Sequence, residues 1–486
     1  MEKSDCIFFH LVTATGFEGM HDSYSSLTKW IRSHGGYVHK ALSLKGAGTN
    51  RGIFAESSLS AGDKLVSIPA RLSINGSELG TSYGDKRASN WLRCIAAFYK
   101  AQGGSKFYQP YLDSLPQDYE SLLNWSDAEV ASYLSGTTIG KQLAEDRMSK
   151  VFETQYKSAV RPYLVHVGAL QENDMVSSQE TNQFQQACMC VATRGFHLHD
   201  THDYSGPYLL PWIDLLNHDP VEKCTTLQWD SGYFTMVADR DIEAGEEIRH
   251  SYGSDLTSAQ LLKTFGFVTE RAVNHVLSGT AGRETTPAVI SKQEIVFASR
   301  HVSFSRFPAM IQDYMKNQLM ADEHWELNDF EDRDLSFLPD EFLIKPEDPL
   351  SDELITICAA LLIPQDAYEE IVDSLVDRSI LDDYYLGKLI CSTLLHVVRA
   401  KFTTYKSTKD NDATILRQSL ETNCPRAVYG LTVRLEERRC LSNLLAEVDV
   451  VNDTLGGIIL QDENDNVSGQ GEIREEPHQK KHRTNK

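Results

Sequence analysis

The sequence predicts an α+β protein: a β-rich unit split by a helical insert and followed by an all-α C-terminal region. Three observations predict it. AESSLSAGDKL (55–65) and ADRDIEAGEEI (238–248) share one design: Ala, three residues, Leu or Ile, one residue, Ala–Gly–acid, one residue, Leu or Ile. Two strand–turn–strand units of one pattern, far apart in the chain, read as parts of a single β structure. Between them, residues 85–190 carry apolar side chains at three- and four-residue spacings, the mark of helices. After about residue 285 that helical spacing returns and persists.

Taken in order, residues 1–25 have weak periodicity and are expected to be poorly ordered. SLTKWIRSHGGYV (26–38) predicts a short helix running into the strand-like KALSLK, then the glycine-rich GAGTNRG (46–52) and the first strand–turn–strand unit. The N-terminal part of the β-rich unit is thus assigned to 26–84 and the insert to 85–190. NWLRCIAAFYKAQ, DAEVASYL, EDRMSKVFETQYKSAV and TNQFQQACMCVATRGF supply the insert's helices. Strand character resumes with YLLPWIDLL, TTLQW and GYFTMVAD, placing the second part at 191–284. ELITICAALL, DDYYLGKLICSTLLHVVRAKFTTY and AVYGLTVRLEERRCLSNLLAEV predict a helical domain over 285–448. Residues 449–486 are polar, charged and poor in large apolar residues, so a disordered tail is expected.

Composition narrows the function classes. The 486 residues suffice for two or three cores. Forty-seven Lys and Arg against 69 Asp and Glu give −22, which argues against a nucleic-acid binder and suits a basic protein partner. Acid concentrates in 321–388, with 20 acidic and 4 basic residues, either as solvated faces of helices or as a docking face for a basic protein. Nine dispersed cysteines are not a disulfide framework and fit a reducing compartment, cytoplasmic or nuclear. IFFHLV (7–12) lacks a signal-peptide cleavage pattern, and no apolar run is long enough to span a bilayer, so no membrane role is expected.

The motifs carry the chemistry. GAGTNRG invites a dinucleotide-binding reading, but that fingerprint needs its third glycine to open a helix. IFAESSLSAGDKL, which follows, is strand-prone and turn-punctuated, and the reading fails. DLLNHDP (214–220) places Asn–His after an apolar run, and HSYGSDLTSAQLLKTFGF (250–267) places Ser–Tyr–Gly after a strand and aromatic–Gly–aromatic after a short helix. Each is unremarkable alone: a hydrogen-bonded pair, a strand-end tyrosine, a helix stop.

Together, at this separation, they resemble the SET-domain protein methyltransferases. The chain is most similar to their Rubisco large-subunit methyltransferase-like class, which includes ribosomal-protein lysine methyltransferases. The match extends over roughly 30–448, because FYQPYLDSLPQDYESLLNWSDAEVASYLSGT (107–137) resembles that class's insert and AVYGLTVRLEERRCLSNLL (427–445) its last helix. The resemblance implies a β-rich SET domain, an all-α substrate-binding domain and S-adenosylmethionine as cofactor. It implies cofactor contacts at Thr49, Asn50, Arg51, Arg194, Asp214, Asn217, His218, Tyr252, Phe265, Gly266 and Phe267. Arg194 would pair with the cofactor carboxylate, which a guanidinium does better than an ammonium. The Asn217–His218 segment would pass beneath the Tyr252 segment in a knot-like threading. Tyr252 would be catalytic, its hydroxyl at the transferring methyl, and Phe196 would wall the substrate channel. The class's histidine-methylating branch has a polar residue at the position of Phe196, so the resemblance implies lysine. Where the class commonly has Ser–Asn–Ala–Glu, this chain has Thr257–Ser258–Ala259–Gln260, which puts local hydrogen bonds in doubt.

The expected activity is methyl transfer to a lysine of a non-histone protein, ribosomal or translation proteins among the candidates, by a monomeric enzyme that needs no metal. Two rivals stand beside it. His197, His199, Asp200, His202 and Asp203, with His218–Asp219 near in sequence, offer metal-ligand chemistry, but on a loop without geometry to fix them. The other is a non-catalytic SET-like module that binds basic partners through its acidic helical domain.

Overall fold

The computed structural model describes residues 15–46, 51–116, 119–149, 154–172, 176–197, 205–301, 339–362, 381 and 384–455. They fall into two compact units. The first draws on Met1–Lys292, Pro339–Pro349 and Val398–Leu444, and the second on Gln293–Leu338, Leu350–Val397 and Leu445–Lys486.

In the first unit, helix α1 (Thr15–Ser33) buries Leu27, Trp30 and Ile31, spaced for one helix face. It starts earlier than the expected 26, because Gly19, Asp22, Ser23 and Ser25 blur the apolar period without stopping the helix. Strands β1 (Tyr37–Val38), β2 (Leu42–Lys45), β3 (Gly52–Ala55) and β4 (Lys64–Pro69) follow. Short β5 (Ile74–Asn75), β6 (Ser82–Tyr83) and β7 (Lys86–Arg87) lead to the insert.

The insert comprises α2 (Asn90–Gln102), α3 (Gln109–Leu112), α4 (Asp127–Tyr133), α5 (Thr138–Ser149), a π-helical turn at Tyr156–Val160, α6 (Arg161–His166) and α7 (Ser178–Arg194). Local chemistry sets its boundaries. Ser89 and Ser177 cap α2 and α7, and Ser126 forms a capping box with Glu129 at the start of α4.

β8 (Gly195–Phe196), β9 (Tyr208–Leu209), β10 (Asn217–His218), β11 (Thr225–Asp230), β12 (Tyr233–Ala238) and β13 (Arg249–His250) complete the β structure. The largest sheet has the order β1-β4-β12-β11. Its central pair joins a strand before the insert to one after it, with Ile68 opposite Phe234 and Val66 opposite Met236, all fully buried. One β core is therefore assembled from both sides of the insert. The two Ala–Gly–acid units pair with each other. Leu59 and Ile242 exchange two backbone hydrogen bonds of 2.9 Å. Ala55 bonds to Gly245 and Glu246, while Ala238 bonds to Gly62 and Asp63, the same contacts with the partners exchanged. Gly62 and Gly245 both have φ of +87°, which explains a glycine at this turn in each unit.

After β13 come α8 (Ser258–Phe265) and α9 (Glu270–Ser278), then β14 (Ala288–Ser291) paired antiparallel with β15 (Glu341–Ile344). This two-stranded pair corrects the all-helical reading after 285: both strands are too short to show a clear period in sequence. The later helices are α10 (Lys292–His301), α11 (Asp352–Leu362), α12 (Tyr384–Thr404), α13 (Lys409–Glu421) and α14 (Pro425–Thr454). Their contribution to the first unit is fastened to it by charge. Arg426 of α14 meets Glu120 at 2.9 Å and Glu129 at 3.1 Å in the insert, while Arg434 of α14 meets Asp412 of α13 at 3.0 Å, joining the two helices with both side chains essentially buried. Removing one partner of such a buried pair costs about 3–5 kcal/mol.

The second unit holds α11 with buried Leu354, Ile355 and Cys358, and the part of α12 that buries Leu389, Ile390 and Leu394. α14 continues to Thr454 with Val448 and Asn452 buried, so helix replaces the start of the tail expected from 449. Residues 456–486 and most of the acidic stretch 321–388 lie outside the described residues. No helix among those described is long and apolar enough to cross a membrane.

Candidate functional site

The expected site residues converge where the strand after the glycine-rich loop meets β10 and β13. Thr49 and Asn50 lie outside the described residues; Arg51 is the first residue on the near side. Gly52 lies so close to Glu247 that a Cβ would stand 2.4 Å from its Oε1, so any side chain there would have to displace the Glu247 carboxylate. The side-chain amide of Asn217 donates to Glu247 Oε1 and to the Arg51 carbonyl, each at 2.7 Å. Arg249 Nε donates to the other oxygen of Glu247 at 3.0 Å. β10 and β13 run parallel, with Asn217 opposite Arg249 and His218 opposite His250. Asn217 thus ties three separate chain segments together.

Arg194, the last residue of α7, enters from the insert. Its Nη1 donates to the Asp214 carbonyl at 2.9 Å and to Asp214 Oδ2 at 3.3 Å. Tyr111 of α3 donates its hydroxyl to the same Oδ2 at 2.8 Å. The Asp214 side chain is 1% exposed and that of Arg194 14%. The Asp214 carboxylate is thus buried against Arg194, with its Oδ1 without a hydrogen-bond partner among the described residues. The turn leading into Asp214 is strained, since fully buried Trp212 has φ of +73°, rare for a bulky residue.

The electrostatics favour an anion here. Burial, and next the like charge of Arg194, hold the Arg51 guanidinium below its ordinary value. Burial, the largest influence, pulls Arg194 the same way, but Asp214 with Tyr119, Tyr111 and Cys190 together outweigh it and the net shift is upward. Arg194 Nε is buried with no hydrogen-bond partner among the described residues.

Tyr252 closes the cluster. Its backbone N–H donates to His218 Nδ1 at 3.0 Å and its hydroxyl to the Leu216 carbonyl at 2.8 Å. Its ring lies 5.0 Å from that of His218 and 4.9 Å from Phe265. Burial pushes the phenol up to about 12, so at neutral pH it is a donor and not a base. Burial pushes His218 down to about 4. Its neutral ring accepts at Nδ1, which puts the proton on Nε2, buried and without a partner among the described residues.

Phe267 lies 6.3 Å from both His218 and Phe265. Gly266 between the two phenylalanines ends α8 with φ of +78°, and a Cβ there would meet the Glu120 carbonyl at 2.3 Å. The hydrogen bonds in doubt at the start of α8 are present in another form, because Thr257 and Gln260 make a complete capping box. Phe196 reaches the cluster through His250, on which it stacks with ring centres 5.9 Å apart. His197 packs on Trp91, while His199, Asp200, His202 and Asp203 lie outside the described residues.

Tyr111, Glu120, Glu247 and His250 are site residues that the motifs did not reveal. Glu247 had a signal: it occupies the position in the second Ala–Gly–acid unit where the first has exposed Lys64. Tyr111 and Glu120 come from the insert and meet the site only in three dimensions.

Residues 50–253 match the family model for the SET domain. Among curated proteins, the actin-histidine N-methyltransferase of Homo sapiens is 27% identical over 256 residues, 49% of this chain and 41% of the relative. The chloroplastic fructose-bisphosphate aldolase-lysine N-methyltransferase of Arabidopsis thaliana is 25% identical over 262 residues, 49% of this chain and 51% of the relative. The chain thus spans about half or less of the length of these relatives. Among solved structures, the SET domain of LSMT bound to MeLysine and AdoHcy superimposes with a TM-score of 0.61 at 17% identity, covering 89% of this chain and 93% of that one. Rubisco LSMT bound to Sinefungin and Monomethyllysine gives 0.60 at the same identity and coverage.

Proposed function

We propose, on the premise that this chain carries a SET domain over residues 50–253 and shares the fold of the Rubisco LSMT structures, that it is an S-adenosylmethionine-dependent protein-lysine N-methyltransferase. One observation carries the reading: Arg194 and the buried Tyr252 hydroxyl are anchored two residues apart on one segment, on the Asp214 and Leu216 carbonyls, with the Arg194 Nε left buried and without a partner among the described residues. A zwitterionic cofactor with a carboxylate at one end fits that arrangement. The orphaned Arg194 Nε would meet its carboxylate with Arg51, and His218, Phe265 and Phe267 would line its adenine side. When bound, S-adenosylmethionine supplies a methyl group activated by a sulfonium.

The chain's own residues supply alignment and desolvation. Transfer to an amine is an in-line displacement, so holding the reactants in a narrow channel is the main contribution of the protein. The amine must first be neutral, and with a solution pKa near 10.4 only about one lysine in a thousand is so at pH 7.4. Aromatic walls from Phe196 and Tyr252 disfavour the ammonium and lower that value. The Tyr252 hydroxyl and the Leu216 carbonyl it holds place two oxygens at this end of the cluster, suited to weak C–H···O contacts.

Histidine is the second reading, supported by similarity to the actin-histidine enzymes. Phe196 favours lysine: stacked on His250, it brings no polar atom to orient an imidazole. We further propose a non-histone protein substrate, with ribosomal and translation proteins as candidates. The enzyme would act as a monomer in the cytoplasm or nucleus, without nucleic acid or membrane. The acidic composition and dispersed cysteines support this setting. Incubation with labelled S-adenosylmethionine and a methylation-naive extract, followed by mass spectrometry of the labelled band, tests the proposal. Methyl-lysine is the expected product; methyl-histidine would overturn the lysine assignment, and no transfer would favour the binding-module alternative.

A further inference from the structure

We infer that Tyr111 is a positioning residue: acting through Asp214, it sets the guanidinium of Arg194 for the carboxylate end of the cofactor. The inference rests on the methyl-transfer reading above. Tyr111 sits in the insert, on the four-residue helix α3, and is fully buried. A buried phenol needs a partner for its hydroxyl, and Tyr111 finds Asp214 Oδ2 at 2.8 Å. Burial, reinforced by the adjacent Asp214 charge, keeps Tyr111 protonated and therefore a donor.

The Asp214 carboxylate is fixed at this oxygen by two donors, Tyr111 from one side and Arg194 Nη1 from the other. The Asp214 carbonyl takes the same Nη1, so this corner of the guanidinium is committed to one residue. A planar guanidinium with one corner fixed has its orientation set. The edge carrying Nε, which is buried and without a partner among the described residues, is then left to meet an anion. Without the Tyr111 hydroxyl, Asp214 Oδ2 keeps Arg194 as its donor but loses the contact that sets the carboxylate's plane.

The effect should be specific to one end of the cofactor, which makes it testable without turnover. Calorimetry would compare S-adenosylhomocysteine with 5′-methylthioadenosine, which keeps the adenosine and sulfur but lacks the amino-acid end. Tyr111→Phe should weaken S-adenosylhomocysteine binding about tenfold, the scale of one hydrogen bond to a charged group, and leave methylthioadenosine unchanged. Asp214→Asn should show the same selective loss, and the double variant should lose little more than either alone. Equal weakening of both ligands, or of neither, would overturn the inference and leave Tyr111 a packing residue. Failure of the wild-type protein to bind either ligand would instead overturn the methyl-transfer reading, and this inference with it.

Discussion

Asn217 donates its side-chain amide to the backbone carbonyl of Arg51 at 2.7 Å, across 166 residues of sequence. That bond fixes where the strand after the glycine-rich loop begins, and hence where the Arg51 side chain starts. The same amide holds Glu247 at 2.7 Å, so loss of Asn217 leaves a part-buried carboxylate with only Arg249 and a carbonyl without its donor. Asn217→Ala should therefore lower stability by about 1–3 kcal/mol, the cost of unsatisfied buried partners, and weaken S-adenosylhomocysteine binding as well. Thermal unfolding and calorimetry measure the two effects. An unchanged melting temperature would show that this bond does not tie the three segments.

Cofactor binding should be visible as stabilisation. A ligand that binds only the folded protein adds about 2.7 kcal/mol at a concentration one hundred times its Kd. S-adenosylmethionine or S-adenosylhomocysteine should raise the melting temperature by several degrees, and NAD should not. Arg194→Lys should abolish most of that shift, because an ammonium cannot keep the Asp214 contacts and also offer a planar edge to a carboxylate. An equal response from the variant would remove Arg194 from the binding site.

The sequence displayed the parts of this site whose chemistry is local. The two Ala–Gly–acid units were visible because each needs a glycine at φ of +87° and a matching apolar spacing, although their pairing through Leu59 and Ile242 is a tertiary fact. Tyr252, Asn217 and the Phe265–Gly266–Phe267 stop were legible through short motifs at characteristic separations. Asp214 stands out in sequence only through its motif, because its partners Tyr111 and Arg194 lie 103 and 20 residues away. Glu120 illustrates the same limit. It forces glycine at 266 through its carbonyl, which no side-chain pattern can show. The β14–β15 pair is hidden in the sequence for a different reason: four-residue strands leave too little alternation to see.

Stability should carry a pH signature from α14. Glu437 is buried, with both carboxylate oxygens facing the Thr138 N–H at 3.1 and 3.2 Å, and burial pushes it up to about 8 from an ordinary 4.5. The folded state thus holds this proton where the unfolded chain has released it. Stability from this group is undiminished below about pH 4.5 and falls as pH rises towards 8. Glu437→Gln keeps an acceptor for Thr138 and removes the titration. The melting temperature of the variant minus that of wild type should therefore increase between pH 5 and pH 8, by a few degrees. Adjacent Glu436, which accepts from Ser258 and Thr286 and is pushed up to about 7 by burial, should give a similar trend with Gln. A difference that is flat with pH would mean that the carboxylates ionise freely in the folded protein.

The sharpest separation of chemistry from structure is Tyr252→Phe. The change deletes one hydroxyl and little volume, and it leaves the ring against His218 and Phe265. It also leaves the backbone N–H that donates to His218, so the parallel pairing of β10 and β13 keeps its support. The Leu216 carbonyl loses its donor, a cost of about 1 kcal/mol if folding alone is affected. If the hydroxyl and that carbonyl stand at the transferring methyl, their contacts strengthen in the transition state. Cofactor affinity should then survive while turnover falls at least about ten- to hundred-fold. Histidine rescue would not be expected, since a phenol held near 12 contributes a fixed dipole and not a mobile proton. Release of S-adenosylhomocysteine with a methylated protein product is the readout. Wild-type turnover in a folded, cofactor-binding Tyr252→Phe protein would take the hydroxyl out of the reaction and leave alignment to Leu216 and the aromatic walls.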